Sequence, residues 1–471
     1  MESKINLVSR AFFSKDTVSL SASWIACQLG HDINSFPSLA ALHAESTPVS
    51  FGSCSCVSLV EPPLLHNPEG HLGLACEGDG VDQMLEEHPT YLECFTRLHN
   101  EIMSGDGPLP EHYRRYIAIM ASCRHNCSYL VEEQKQAFRE SGGPEEWLLG
   151  VEFAPKKLQE LHHTNLILAH QPWLYDIHHV EKLLKSCWSV SELTQAICIL
   201  AQFHALSSYV HGCGIEVSSG EIAVQPSFLQ ACSSGSPSSV ELSEGGVDVL
   251  VERMRSISLV QADYNGISEE QTRVSFEKLK KQAANISSPN VDSEEVSKSR
   301  YSHLSPNPEF MYVDFHKRGE KSPVPTIKSQ DCSWEEHGFS LVSELYSEVA
   351  DILDNKFKTA YNMTYYTCGH KTHVDTFLFR QAVWNYLHCL YGIRHDDYDY
   401  SQINQLLERN LKMFLKTVTC FPERLSSLEA SPFIMKGFLN SEKVHVMVLV
   451  LEGRLQAELL HGLRALGHYL M

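Results

Sequence analysis

No apolar run in the chain is long enough to cross a membrane. Continuous stretches such as Val446 to Leu451 fall far short of the ~20 residues that a spanning helix needs. A basic surplus is also missing, since 38 Lys and Arg stand against 58 Asp and Glu, for a net charge of -20. Nucleic acid and anionic membrane surfaces both require a basic footprint, so neither is expected as the main partner. Paired cysteine spacing is absent too. The 15 cysteines are odd in number, and several, such as Cys198 and Cys389, sit inside apolar helical patterns. That usage predicts free thiols in the cytoplasm or nucleus rather than a disulfide framework. It also predicts no glycan at Asn126, Asn285 or Asn362. Neither a Gly-rich phosphate loop nor HExxH nor CxxC occurs, so no cofactor and no metal is implied. The doublets His162–His163 and His178–His179 lack ligand spacing and read as surface residues. Residues 1–30 have no apolar signal core; Lys4, Arg10 and Lys15 leave a mitochondrial transit peptide as a weaker reading, opposed by Glu2 and Asp16.

Period-2 alternation of any length is missing as well, and what stands in its place is helical spacing. Residues 1–66 read as an irregular segment. A helical region over 67–216 follows, including one long helix from Glu111 to Phe138 that carries Tyr116, Met120, Cys127, Val131 and Gln134 near one face. Ser189 and Glu192 form a capping-box pattern, and "HGCG" closes the helix that they open. Residues 217–308 are rich in serine and glycine, with too little apolar content to offset ordering entropy, and predict a flexible linker holding one short helix near 247–257. A second helical region over 309–471 ends in "SEKVHVMVLVLEGRLQAELLHGLRALGHYL", apolar on nearly every side at its start and therefore central. The class expected is all-α, two helical lobes joined by a linker. "RRYIAIMASCRHNCSY" and "RQAVWNYLHCLYGI" echo each other weakly, as two diverged copies of one helical unit would.

Three stretches, "RRYIAIMASCRHNCSYLV", "PEEWLLG" and "GIRHDDYDYSQINQLLERNLK" with the following "SEKVHV", carry a resemblance. From about His71 to the C-terminus the sequence resembles the sestrins, stress-responsive regulators of the mTOR complex 1 growth pathway. The resemblance implies two lobes of the alkyl hydroperoxidase D and carboxymuconolactone decarboxylase type. It implies a peroxidatic cysteine in the first lobe, and leucine binding with contact to the GATOR complex in the second.

Each implied site has a plainer reading beside it. Cys127 is either a reactive thiol with a polar escort (Arg124, His125, Tyr129) or a small core residue. The resemblance favours the first, since Cys127 and Tyr129 match the family's cysteine and tyrosine, and implies a hydroperoxide reductase as the alternative function. Peroxide reduction needs a thiolate and a proton source. The family's histidine is replaced by Gln134, about 10 Å along the helix axis from Cys127, and glutamine exchanges no proton near neutral pH. Cys123 reads as a resolving thiol or as packing. For the amino acid, the matching positions are Glu442 for the ammonium, Arg380 for the carboxylate, and Thr364, Thr367 and Thr376 for the closing hydroxyls; without the resemblance Arg380 and Glu442 read as solvated helix residues. Met435 stands where the family has a pocket tryptophan. Asp396, Asp397 and Tyr398 match the residues that contact the GATOR complex, against the plain reading of a solvated acidic loop.

Overall fold

A computed structural model describes residues 80–218, 221–224, 246–262, 268–284, 300–318, 326–427 and 435–471. The irregular segment expected over 1–66 and most of the serine-rich tract lie outside them. Residues Ala75–Met471 form one compact unit.

The helices in chain order are α1 Gly80–Leu85, α2 Pro89–Ser104, α3 Glu111–Arg124, α4 Ser128–Glu140, α5 Lys156–His170, α6 Ile177–Leu184 and α7 Val190–Cys213. Then come α8 Gly246–Ala262, α9 Glu269–Ala284, α10 Phe315–Arg318, α11 Phe339–Leu345, α12 Ser347–Asn362, α13 Phe377–Leu390, α14 Ser401–Leu406, α15 Arg409–Cys420 and α16 Asn440–Leu470. Strands are confined, among the described residues, to three two-stranded pieces: Ile215–Ser218 with Glu221–Val224, Ile327–Lys328 with Ile393–Arg394, and Thr367–Cys368 with Lys371–Thr372. The all-α class holds.

α7 begins where expected. Ser189 Oγ accepts from the Glu192 N–H, the Glu192 carboxylate accepts from the Ser189 N–H, and Gly214 in the left-handed region ends the helix. α16 is buried from Lys443 to Leu463, and it lies against α7. Apolar residues of both sequence halves join one core cluster. Polar groups cross it too. Arg454 on α16 donates to Glu458 (2.7 Å), to Ser208 Oγ (2.6 Å) on α7 and to His125 Nε2 (2.7 Å). Lys356 pairs with Glu452 (2.9 Å), both fully buried, and Tyr91 donates to the same carboxylate.

The structure corrects two expectations. The single helix over 111–138 is two, broken at His125–Cys127. Asn126 adopts φ 49°, a conformation that asparagine tolerates better than most residues, and the Cys127 N–H reaches back to Ser122 O (3.1 Å). The apolar period runs on across the break because both helices face the same core. The linker is the second correction. The helix expected near 247–257 extends over 246–262, and α9 was not foreseen. Val247, Leu250, Val251, Met254 and Ile257 on α8, and Thr272, Phe276 and Leu279 on α9, are buried at three- and four-residue spacing. Tyr301 and Leu304 are buried as well. Averaged composition hid these short amphipathic stripes.

Candidate functional site

The helix break makes Cys127 the N-cap of α4, where a thiolate gains from free backbone N–H groups. Burial opposes that gain. The side chain is 1% exposed, and desolvation pushes the thiol up to about 12, against weaker help from the Leu130 N–H and the Ser207 hydroxyl. The expected escort faces elsewhere. Arg124 donates to Pro306 O (2.9 Å) and Phe310 O (2.9 Å). His125 accepts from Arg454 at Nε2, so its proton sits on Nδ1, and burial with the neighbouring Arg454 holds its pKa well below the ordinary value. It is neutral, with Nε2 engaged and Nδ1 left without a hydrogen-bond partner among the described residues. Gln134, also buried, accepts from Arg115 (3.4 Å). Tyr129 and Cys123 are buried, and Cys123 is shifted upward by desolvation. This turn is assembled as a core, with a thiol that ionises poorly.

The second group gathers around the loop between α12 and α13. Glu442, at the third position of α16, accepts from the Leu439 N–H (2.9 Å), the Gly369 N–H (2.9 Å) and Thr367 Oγ1 (3.0 Å). Gly369 has φ +57°, and a Cβ there would meet Gly437 O at 2.2 Å, so this close approach requires glycine. Arg380 is 4% exposed; it donates to Tyr361 O and lies 3.5 Å from Asp375. Its Nε is buried without a hydrogen-bond partner. Thr376 caps α13, and its carbonyl accepts from the Arg380 N–H (3.0 Å). Thr364 Oγ1 accepts from the Tyr366 N–H (3.2 Å). His445, one turn after Glu442, is hydrogen-bonded to Ala360 O (3.0 Å), and burial lowers it to about 3. Met435 is buried in a crevice of about 60 Å³ lined by Leu250, Phe379, Leu411 and Phe438.

Sequence reasoning missed His88. Its Nε2 donates to Ser441 O (2.8 Å), which leaves Nδ1 to accept from Tyr365 OH (2.9 Å). It thereby ties the α12–α13 loop to the start of α16. Its only sequence signal is a position just before Pro89, the first residue of α2. The surface reading of the histidine doublets also needs correction at His162, whose ring nitrogens are buried without partners; His163 and His178 are exposed.

The acidic motif is not the solvated loop that its composition suggests. Asp396 is buried against Arg394 (2.6 Å), Tyr398 is 4% exposed, and Asp397 alone of the three is exposed.

The profile of the family described as PA26 p53-induced protein (sestrin) matches residues 71–470. The chain is 42% identical to Sestrin-2 of Homo sapiens over 421 residues, 85% of this chain and 87% of that protein. It is 40% identical to Sestrin-3 of Mus musculus (83% of this chain, 85% of that protein). It is 37% identical to a sestrin homolog of Drosophila melanogaster (83% and 92%). The chain belongs to the sestrin family. The matched span begins at the residue from which the sestrin resemblance was read, and it includes Cys127, Arg380, Asp396 and Glu442 alike. Among the described residues of this sestrin, no helix is long and apolar enough to cross a membrane.

Proposed function

We propose that this sestrin is an amino-acid-responsive negative regulator of mTOR complex 1 signalling that acts by binding the GATOR complex, with leucine or a similar aliphatic amino acid as its ligand. The observation that carries this reading is the buried Arg380 guanidinium with one unmade hydrogen bond, close to a loop held shut by Glu442. A free amino acid offers a carboxylate to such a guanidinium and an ammonium to such a carboxylate. Binding would exchange the Glu442 contacts to Thr367 and Gly369 for contacts to the ligand, and so change the loop. Thr364, Thr367 and Thr376 are the hydroxyls available to close over it. Asp396, Asp397 and Tyr398 are the partner-contact residues in this reading. In this reading residues 67–216 and 309–471 correspond to the family's two lobes, sharing one core cluster, and the site of action is the cytoplasm, with the nucleus as a second location.

The experiment is a pull-down of the GATOR complex by the full chain with and without leucine. Release by leucine that is lost in Glu442→Ala supports the reading; binding insensitive to every amino acid tested points to a constitutive inhibitor. The alternative, a hydroperoxide reductase using Cys127 and Tyr129, has the helix-start position of the thiol in its favour. Desolvation of that thiol and the engagement of His125 and Gln134 weigh against it.

A further inference from the structure

Helix α9 lies over the acidic motif. Phe276 packs edge-on against Tyr400 (ring centroids 4.8 Å apart), and Tyr400 packs edge-on against Tyr398 (5.2 Å). At one end Glu269 reaches Lys328 (2.9 Å) and Arg394 (3.5 Å), the same arginine that holds Asp396. At the other end Asn404 donates to Gln282 (2.7 Å). Neighbouring α8 adds a bond from Arg253 to Gln405 O (2.9 Å).

This contact is poorly satisfied for a core. Thr272 Oγ1 on α9, and Arg394 Nη2, Asp396 Oδ2, Tyr398 OH and Gln402 Oε1 on the motif side, are all buried without a hydrogen-bond partner among the described residues. Native cores pair such groups almost always. The contacts that hold α9 include one aromatic ring, two further buried side chains, packing against α10, α13 and α14, and ion pairs of exposed Glu269 that water screens. A helix of 16 residues is also near the length at which an isolated helix is only marginally stable. Four of these five orphans can accept a hydrogen bond, and Asp396 and Tyr398 flank exposed Asp397. A surface rich in Arg, Lys or backbone N–H donors would satisfy them better than α9 does.

We propose that helix Glu269–Ala284 is a removable cover on the Arg394–Tyr400 surface, displaced when a basic, donor-rich partner surface docks there. The inference rests on the reading of Asp396–Tyr398 as the partner contact and adds to it a regulated, covered state. Apparent affinity falls by the fraction of molecules that are uncovered, so loosening α9 strengthens binding without touching the motif.

The test uses the full chain in two readouts. In hydrogen exchange on free protein, Phe276→Ala accelerates the amides of residues 393–400 by about tenfold or more, while residues 444–463 of α16 stay protected. Unchanged exchange at 393–400, or equal acceleration in α16, overturns the cover. In titration with purified GATOR complex, Phe276→Ala binds about tenfold more tightly than wild type. Glu269→Lys, at the exposed rim where folding is not at risk, binds a few-fold more tightly. Equal or weaker binding by both variants overturns the gating. Asp397→Ala, made alone and with Phe276→Ala, keeps the two ideas apart. Loss of binding in both supports the partner contact; binding that survives both overturns that contact and the gating with it, while the exchange result still decides the cover.

Discussion

The Cys127 turn and the Arg380 loop are built from the same kinds of residue and finished in opposite ways. At Cys127 the neighbouring polar groups turn to other partners, His125 to Arg454, Arg124 to the carbonyls of 306–310 and Gln134 to Arg115. The atoms left over, Arg124 Nε and His125 Nδ1, belong to the same turn as a desolvated thiol. At Arg380 a buried guanidinium keeps one donor unmade, and Glu442 accepts from the Thr367 hydroxyl and the Gly369 N–H of the neighbouring loop. Reactive residue types do not make a site. What matters is which unmade bonds lie beside a complementary charge. Arg380 lies near the Glu442 loop, and a buried polar group short of a partner costs free energy that a ligand can recover, whereas the thiol of Cys127 is desolvated.

The sharpest way to break this comparison is to remove an arginine from each side. Arg454→Met leaves the buried Glu458 carboxylate with only His204 and His125 Nε2 with no donor, and should cost ~3–5 kcal/mol in urea unfolding. Arg380→Met should cost about 1–2 kcal/mol. Equal losses would place both arginines in the same structural role.

Thiol labelling probes the closed side. With Cys127 pushed up to about 12, its thiolate fraction at pH 7 is on the order of 10⁻⁵. Iodoacetamide followed by mass spectrometry should label exposed Cys187 at least about a hundredfold faster. Labelling of Cys127 first would reopen the reductase reading, and vigorous peroxide turnover lost in Cys127→Ser would establish it.

Acid probes the buried histidines of the Arg380 side and of the wider core. Burial lowers His445 to about 3, His461 to about 3 and His99 to about 4. Between pH 6.5 and about 4 the unfolded chain therefore binds protons that the folded chain refuses, and stability falls as pH drops through that window. Tm should decline steadily from pH 7 to pH 4, and His445→Gln should flatten part of the decline. A Tm that holds level would mean that these rings are protonated in the fold.

The smallest effect belongs to Glu442→Gln. It weakens a cap and a loop contact, for about 0.5–1.5 kcal/mol, and should speed amide exchange at 367–369 and in the first turn of α16 without touching residues 444–463.

Much of this was legible in the sequence. The capping box at Ser189 and Glu192, the glycine stop at Gly214 and the all-round apolar α16 each follow from local rules that the packing does not override. The break at Asn126 was not legible, because apolar periodicity continues through a turn when both helices face one core. Nor was α9 legible, since its three inward residues are diluted by charge and by the serine-rich sequence on either side. Arg380 and Glu442 could be named from the family pattern alone, while the burial of one and the bonding of the other depend on distant segments. His88 has no local signature beyond its place before Pro89, because its role lies in contacts 277 and 353 residues away.

The most direct test is calorimetric titration of the full chain with leucine, methionine and isoleucine, repeated on Arg380→Met and Glu442→Gln. The account predicts saturable binding of an aliphatic amino acid that each substitution removes, with Cys127→Ser binding as wild type does. No heat and no Tm shift with any of the three ligands, or binding indifferent to both substitutions, would contradict it.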